Sequence, residues 1–448
     1  MLASAVISLP GESAVKRWLV VLLVLLALMV LITPGIVGRL AEQNIADNIE
    51  WAESDSPGVN IETERFERGW FTSEGTHRIA LDSGQFREAA QEYQAATGNA
   101  ELPSLIIETS LAHGPLPGGS LAPGLATSLS TFSIDPGNGE VFEVPGTLIS
   151  RVSLGGESDG HLVLDPGVAD FDGGTISWDG VDLTFVSNPS TGALAVDGDI
   201  EPWSVAANGT MAKISAISLS ANQTRSAYGF NVGTAVVESG EITLEEDGTA
   251  FSIGSIEFSA DTAIRDERLD AASTFAINAM SVPAFGDVDF DMDFTLTGAD
   301  AASVGVIGAA VQEAQGAVDP EAALANLYPQ IEDELEVMFK RGFDMRLERL
   351  DITLPQGVIA SRLNISVPET DDDAPLDWSS VMLNMTGNLD LRIPGPIYQM
   401  AAMMNSQVGS LVAMGVLVQD GEDYVMNAEY AQGLFNVNGA PMPIPMPQ

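Results

Sequence analysis

The sequence predicts a mainly β chain with a few helices (α+β), in which an N-terminal transmembrane helix is followed by an elongated antiparallel β-rich ectodomain. Three observations lead there. Trp18 to Gly38 contains no ionisable side chain. From about Val59 to Gly298, short runs rich in Val, Ile, Phe and Thr are separated by Gly, Asn, Asp and Pro, which is the texture of strands and turns. Sustained helical spacing is concentrated after residue 299. The segments are therefore a cytoplasmic stub at 1–17, an anchor at 18–38, a β-rich region at 39–298, and a helix-plus-strand region at 299–448 continuous with it.

The anchor rests on length and apolarity. A helix of about 21 residues spans roughly 30 Å, the thickness of a bilayer core. Lys16 and Arg17 precede it, while Glu42, Asp47, Glu50, Glu53 and Asp55 follow. Positive charge stays in the cytoplasm, so the N-terminus is expected inside and everything after Gly38 outside. A cleaved signal peptide would need a shorter apolar run and an A-x-A-like site. The sequence favours an uncleaved anchor, with the bulk of the chain on the extracytoplasmic side.

Leu40, Ala41, Ile45 and Ile49 then recur at helical spacing, predicting a helix over 39–51. Val59, Ile61 and Thr63 alternate with polar residues, predicting a strand. GQFREAAQEYQAAT, Gly84 to Thr97, reads as a helical insert. The strand texture follows, with spacing too tight for crossover helices, so antiparallel meanders are expected.

Ala301 to Gln315 predicts a helix. A second is expected from Asp319-Pro320 to Arg341, with Leu324, Leu327, Ile331, Leu335 and Met338 as its apolar stripe. Strands return at 344–354 and 358–367. Ile397 to Met414 predicts one last helix, with Met400 and Met404 on the face packed into the core. A hairpin across Gln419–Asp423 closes the chain.

Charge and composition exclude several functions. The 448 residues carry 63 Asp+Glu against 18 Lys+Arg, a net charge of -45, and no Cys. Nucleic-acid binding rests on Lys and Arg neutralising phosphates, and this balance opposes it. The lack of Cys removes thiolate nucleophiles and Cys metal sites. The stub holds two basic residues and one acidic one, which leaves 16 basic against 62 acidic residues, a net of -46, for the exterior.

Motifs for chemistry are weak. Gly156-Glu157-Ser158-Asp159-Gly160 fits G-x-S-x-G, but that motif carries a nucleophile only at a strand-to-helix turn, and both flanks here read as strand. Asp287, Asp289, Asp291 and Asp293 alternate with apolar residues and lack the Gly and distal Glu of a calcium loop, so they read as a solvated strand face. His77, His113 and His161 have no zinc-type spacing. No cofactor or metal is expected.

Three passages carry a resemblance: RFERGWFTSEG (Arg65–Gly75), AHGPLP (Ala112–Pro117), and MGVLVQDGEDYVMNAEYAQGLFNVNGAPMPIP (Met414–Pro445). In that order the chain resembles the YdgA-like family of bacterial envelope proteins, a family of unknown function. The resemblance implies a single-span inner-membrane protein with a large periplasmic part, and it offers no catalytic residue to transfer. The shared residues Arg68, Gly69, Phe71, Ser73, His113, Gly114, Pro115, Gly433 and Gly439 are read as structural: Gly69 as a bulge, His113-Gly114-Pro115 as a turn, and Gly433 and Gly439 as flanks of a terminal strand.

The expected function is a non-enzymatic envelope binding or interaction protein, held in the inner membrane through residues 18–38. Its partner would be an envelope protein or lipid, with homo-oligomerisation left open. Lipid or amphiphile binding and transfer is the first alternative. A hydrolase using an unrecognised site, with Ser158 or His113 as its test residues, is the second.

Overall fold

The computed structural model describes residues 59–68, 72–81, 102, 104–113, 124–135, 141–171, 174–207, 210–246, 249–282, 286–316, 320–370 and 376–442. The anchor at 18–38, the helices expected at 39–51 and 84–97, Gly69, Phe71, Gly114 and Pro115 lie outside them. No helix among the described residues is long and apolar enough to cross a membrane. The described fold is mainly antiparallel β, as the strand texture predicts.

The chain parts into two compact units. The first takes the described residues up to Ser218 together with Ile242–Ala250 and residues 315–316. The second takes Leu219–Glu241, Phe251–Ala314 and the described residues after Asp319. The packing division therefore falls near residue 219, while the change of texture at 299 marks where helices enter.

The first unit holds two sheets. One runs in antiparallel order through β1 (Val59–Arg68), β2 (Thr72–Leu81), β3 (Ser104–His113), β4 (Ala126–Asp135), β5 (Phe142–Val152) and β6 (Ser158–Leu164), and continues to β9 (Val181–Asn188) and β10 (Ala193–Ile200). The other pairs β7 (Gly167–Phe171), β8 (Gly174–Trp178), β11 (Trp203–Ala207), β12 (Thr210–Ile214) and β15 (Ile242–Glu246). Alternation becomes burial here: Ile79, Leu105, Phe132, Leu148, Leu162 and Leu183 are all at or below 3% exposure. Each such side chain contributes about 1.5–3 kcal/mol. The second sheet buries Trp178, Trp203, Val205, Ala212 and Ile214, with the two indoles stacked at 5.5 Å. Gly198 in β10 has φ +149, and a Cβ there would lie 2.1 Å from the Asp182 carbonyl oxygen, so the close approach of β9 and β10 requires glycine.

In the second unit β13 (Ile217–Arg225) turns into β14 (Asn231–Ser239) at Ser226, whose N–H donates to the Phe230 carbonyl at 2.8 Å. β16 (Thr249–Ile253) instead joins the smaller sheet as its sixth strand, next to β15. One long antiparallel order then runs from β14 through β17 (Ser255–Arg265), β18 (Arg268–Val282), β19 (Gly286–Asp300), β20 (Phe343–Leu354), β21 (Gly357–Val367) and β22 (Thr386–Pro394). It continues to β24 (Asp423–Ala431), which also pairs with β23 (Val418–Asp420), and ends at β25 (Leu434–Val437) and β26 (Ala440–Met442).

The helices agree with the sequence in place and differ in continuity. α1 (Ala301–Gly316) forms where expected. The second helix is two, α2 (Pro320–Ala325) and α3 (Tyr328–Arg341), because Pro329 opens the later one. Proline has no N–H for the preceding turn and its ring clashes with the carbonyl four residues back, at Ala325. α4 (Trp378–Asn384) was not expected; its signal was Asp377, which accepts from the Ser379 N–H at 3.0 Å as an N-cap. The last helix breaks into α5 (Gly395–Met404) and α6 (Ser406–Ala413), because Asn405 leaves the helical conformation and caps α6 through the Gln407 N–H at 2.9 Å. The methionines do not all pack inward: Met403 and Met404 are 82% and 76% exposed.

Candidate functional site

The residues singled out as chemical candidates are separated by the fold. Ser158 opens β6, is fully buried, and lies three positions from His161. Strand side chains three apart point to opposite faces, so the two form no nucleophile–base pair. His161 Nε2 instead meets Asp182 Oδ1 at 2.7 Å on the exposed face. His113 ends β3 opposite Ala126. The four alternating aspartates share one face of β19: Arg349 bridges Asp291 at 3.2 Å and Asp293 at 3.0 Å, and Asp289 accepts from the Ala279 N–H at 2.7 Å. No group of His, Asp or Glu among the described residues is arranged to hold a metal.

Of the residues that carry the resemblance, Arg68, Ser73, His113, Gly433 and Gly439 are described, and they lie at or beside strand ends. Arg68 pairs with the buried Ser73 across the first hairpin. Gly433 (φ 75) follows Gln432 (φ 55), and Gly439 (φ 78) follows Asn438 (φ 51). Both pairs close two-residue turns with positive φ throughout, the type I′ geometry that matches strand twist. They set β25 between β24 and β26. The Asn438 side chain bonds the Asn427 N–H at 2.9 Å and the Gly415 carbonyl at 3.0 Å.

His77 is buried, its Nδ1 3.0 Å from Thr63 Oγ1. Burial pushes its pKa below the ordinary 6.5. The unfolded chain then binds the proton more readily, so this contribution to stability is complete above pH 6.5 and is lost as pH falls toward the folded value. The expected outcome is a fall in urea midpoint between pH 7 and pH 5 that is larger in the native chain than in His77→Gln.

The feature that sequence reasoning missed is an apolar surface left open on the second unit's long sheet. Register places Val237, Phe258, Phe275, Met292, Leu350, Ser361, Leu391 and Met426 in one row across eight strands. A neighbouring row holds Ile256, Ile277, Phe290, Ile352 and Ile359. At about 4.8 Å per strand, the longer row extends roughly 34 Å. None of these residues is buried, and Phe258 is 39% exposed and Val237 41%. Phe275 and Phe290 meet edge to face at 5.9 Å. The first unit closes the same alternation into a core; this sheet leaves it half open. Each strand showed the alternation, but only the ladder shows that the rows join.

The opposite face of the same strands is polar. It includes a concavity of about 810 Å³ on β20, β21, β22, β24 and β25.

The described residues thus form a mainly antiparallel β protein whose second unit carries a sheet with one face apolar and half open and the other polar. The chain belongs to a family of bacterial proteins of unknown function (DUF945), whose model matches residues 15–445. No curated protein and no solved structure matches it.

Proposed function

We propose that this chain is a YdgA-like, membrane-anchored periplasmic protein without catalytic activity, whose long sheet holds the alkyl part of an amphiphile. The observation that carries the reading is the pair of half-exposed apolar rows. Covering about twelve such side chains would recover roughly 1 kcal/mol each, before the cost of immobilising the ligand. The composition of the rows favours alkyl chains over a protein partner. Protein interfaces concentrate their energy in Trp, Tyr and Arg, whereas these rows hold Phe, Ile, Leu, Val and Met with Ser361 as the one polar member. The anchor at 18–38 would keep the sheet beside a source of lipid.

A fluorescent fatty acid titrated into the intact chain tests this. Binding is expected to weaken at least tenfold in Phe275→Asp/Met292→Asp, two half-exposed positions, and to stay unchanged in Thr274→Asp on the other face. Equal binding by all three proteins would overturn the assignment.

A further inference from the structure

The polar face of the long sheet carries a second arrangement, independent of the apolar rows. Arg346, Asn364, Asn388, Glu429 and Asn436 stand directly opposite one another across five strands. Two residues along, Arg362, Asp390 and Asn427 form a parallel row. Period-two alternation puts both rows on one face. They line the 810 Å³ concavity, with Glu348 raised beside them where the β20–β21 register shifts between Leu347 and Leu350. The patch measures roughly 19 by 7 Å.

Two facts distinguish it from an ordinary solvated face. Asn and Asp are depleted from strands because they pack poorly and compete for backbone hydrogen bonds, yet here they recur on four adjacent strands. Secondly, the arginines stand alone. In a chain with 63 acidic residues against 18 basic ones, Arg65, Arg78, Arg265, Arg268, Arg341, Arg349 and Arg392 are all ion-paired. Arg346 and Arg362 make neither an ion pair nor a side-chain hydrogen bond. The same holds for the side chains of Asn364, Asn388, Asn436, Asp390 and Glu429.

We propose that this concavity binds an acidic saccharide or polyol, one phosphate or carboxylate on a polyhydroxylated frame. The guanidinium groups offer paired donors to the anion. Asn amides donate and accept together, which suits hydroxyl groups that do the same. Asp390, Glu429 and Glu348 accept hydroxyl protons and repel an anion that has no donors, so a bare polyanion fits poorly. No aromatic side chain among the described residues lines the site, and affinity rests on hydrogen bonds and charge.

Calorimetry on the intact chain in a polyoxyethylene detergent, free of sugar headgroups, provides the test. Glucose 6-phosphate and inositol 1-phosphate are expected to bind at least tenfold more tightly than glucose or inorganic phosphate. Arg346→Gln/Arg362→Gln should lose at least tenfold, with an unchanged melting temperature because neither arginine has a partner. Asn364→Asp, an isosteric change opposite Arg346, should weaken binding as well. Dioctanoyl phosphatidylinositol separates the sources: tighter binding than inositol 1-phosphate assigns a lipid headgroup, equal binding a free sugar acid, and either supports the site. No heat with any sugar acid at 10 mM, phosphate equal to glucose 6-phosphate, or affinity unchanged in the variants would overturn it.

Discussion

Asp300→Ala is expected to destabilise the second unit by about 3 kcal/mol, because one buried carboxylate serves two elements. Asp300 is 3% exposed at the junction of β19 and α1. Its Oδ1 accepts from the Ser303 N–H and from the Ser303 hydroxyl, both at 2.8 Å, which caps α1. Its Oδ2 meets Arg341 at 2.8 Å, at the end of α3. Loss of the cap alone costs about 1 kcal/mol. The remainder comes from taking the buried carboxylate away from a two-thirds-buried guanidinium that also meets the exposed Glu267 at 3.2 Å. Asp300→Asn keeps an acceptor for the cap and removes the charge, so it should fall between. Urea midpoints, read with amide exchange in α1, check the order; a change below about 0.5 kcal/mol for Asp300→Ala would contradict the junction's importance.

Arg78→Met is the counterpart in the first unit, with an expected loss of about 2–4 kcal/mol. Arg78 on β2 reaches Glu64 on β1 at 2.5 Å, the Ser104 hydroxyl on β3, and Asp135 on β4 at 2.9 Å. Four strands therefore meet at one guanidinium. The Glu64 hydrogen bond first, and then Asp135, hold its pKa above the ordinary arginine value. The Glu64 end is exposed and contributes little. Asp135 is 5% exposed, and removing the cation leaves its carboxylate costly to bury. The double substitution Arg78→Met/Asp135→Leu replaces the pair by apolar volume and should recover most of the loss. A double variant as unstable as Arg78→Met would show that the pair is not the cause.

Much of the architecture was legible because local rules and tertiary structure agreed. β20 and β21 fall within a residue of the runs that predicted them, and α1 sits on its Ala-rich segment. The two split helices show where one rule outweighs another. Apolar spacing carried α3 and α6 backward across Pro329 and Asn405, although each residue supplies a stop signal of its own. The candidate sites were less legible for a different reason. A strand's alternation states that one face is apolar, and not whether anything covers it. Phe132 and Phe290 occupy equivalent alternating patterns, yet one is buried and the other half exposed. In the same way Arg346 and Arg362 look like any surface arginines until the ladder places them diagonally on adjacent strands, without ion-pair partners.

The central claim is that the open apolar rows hold alkyl chains. A photoactivatable diazirine fatty acid, bound to the intact chain, irradiated and mapped by peptide mass spectrometry, tests it most directly. Adducts are expected on β17, β18, β19 and β20, at Phe258, Phe275, Phe290, Met292, Leu350 and Ile352, and should be competed by unlabelled fatty acid. Adducts confined to residues 18–38, or spread over the polar face and insensitive to competition, would contradict it.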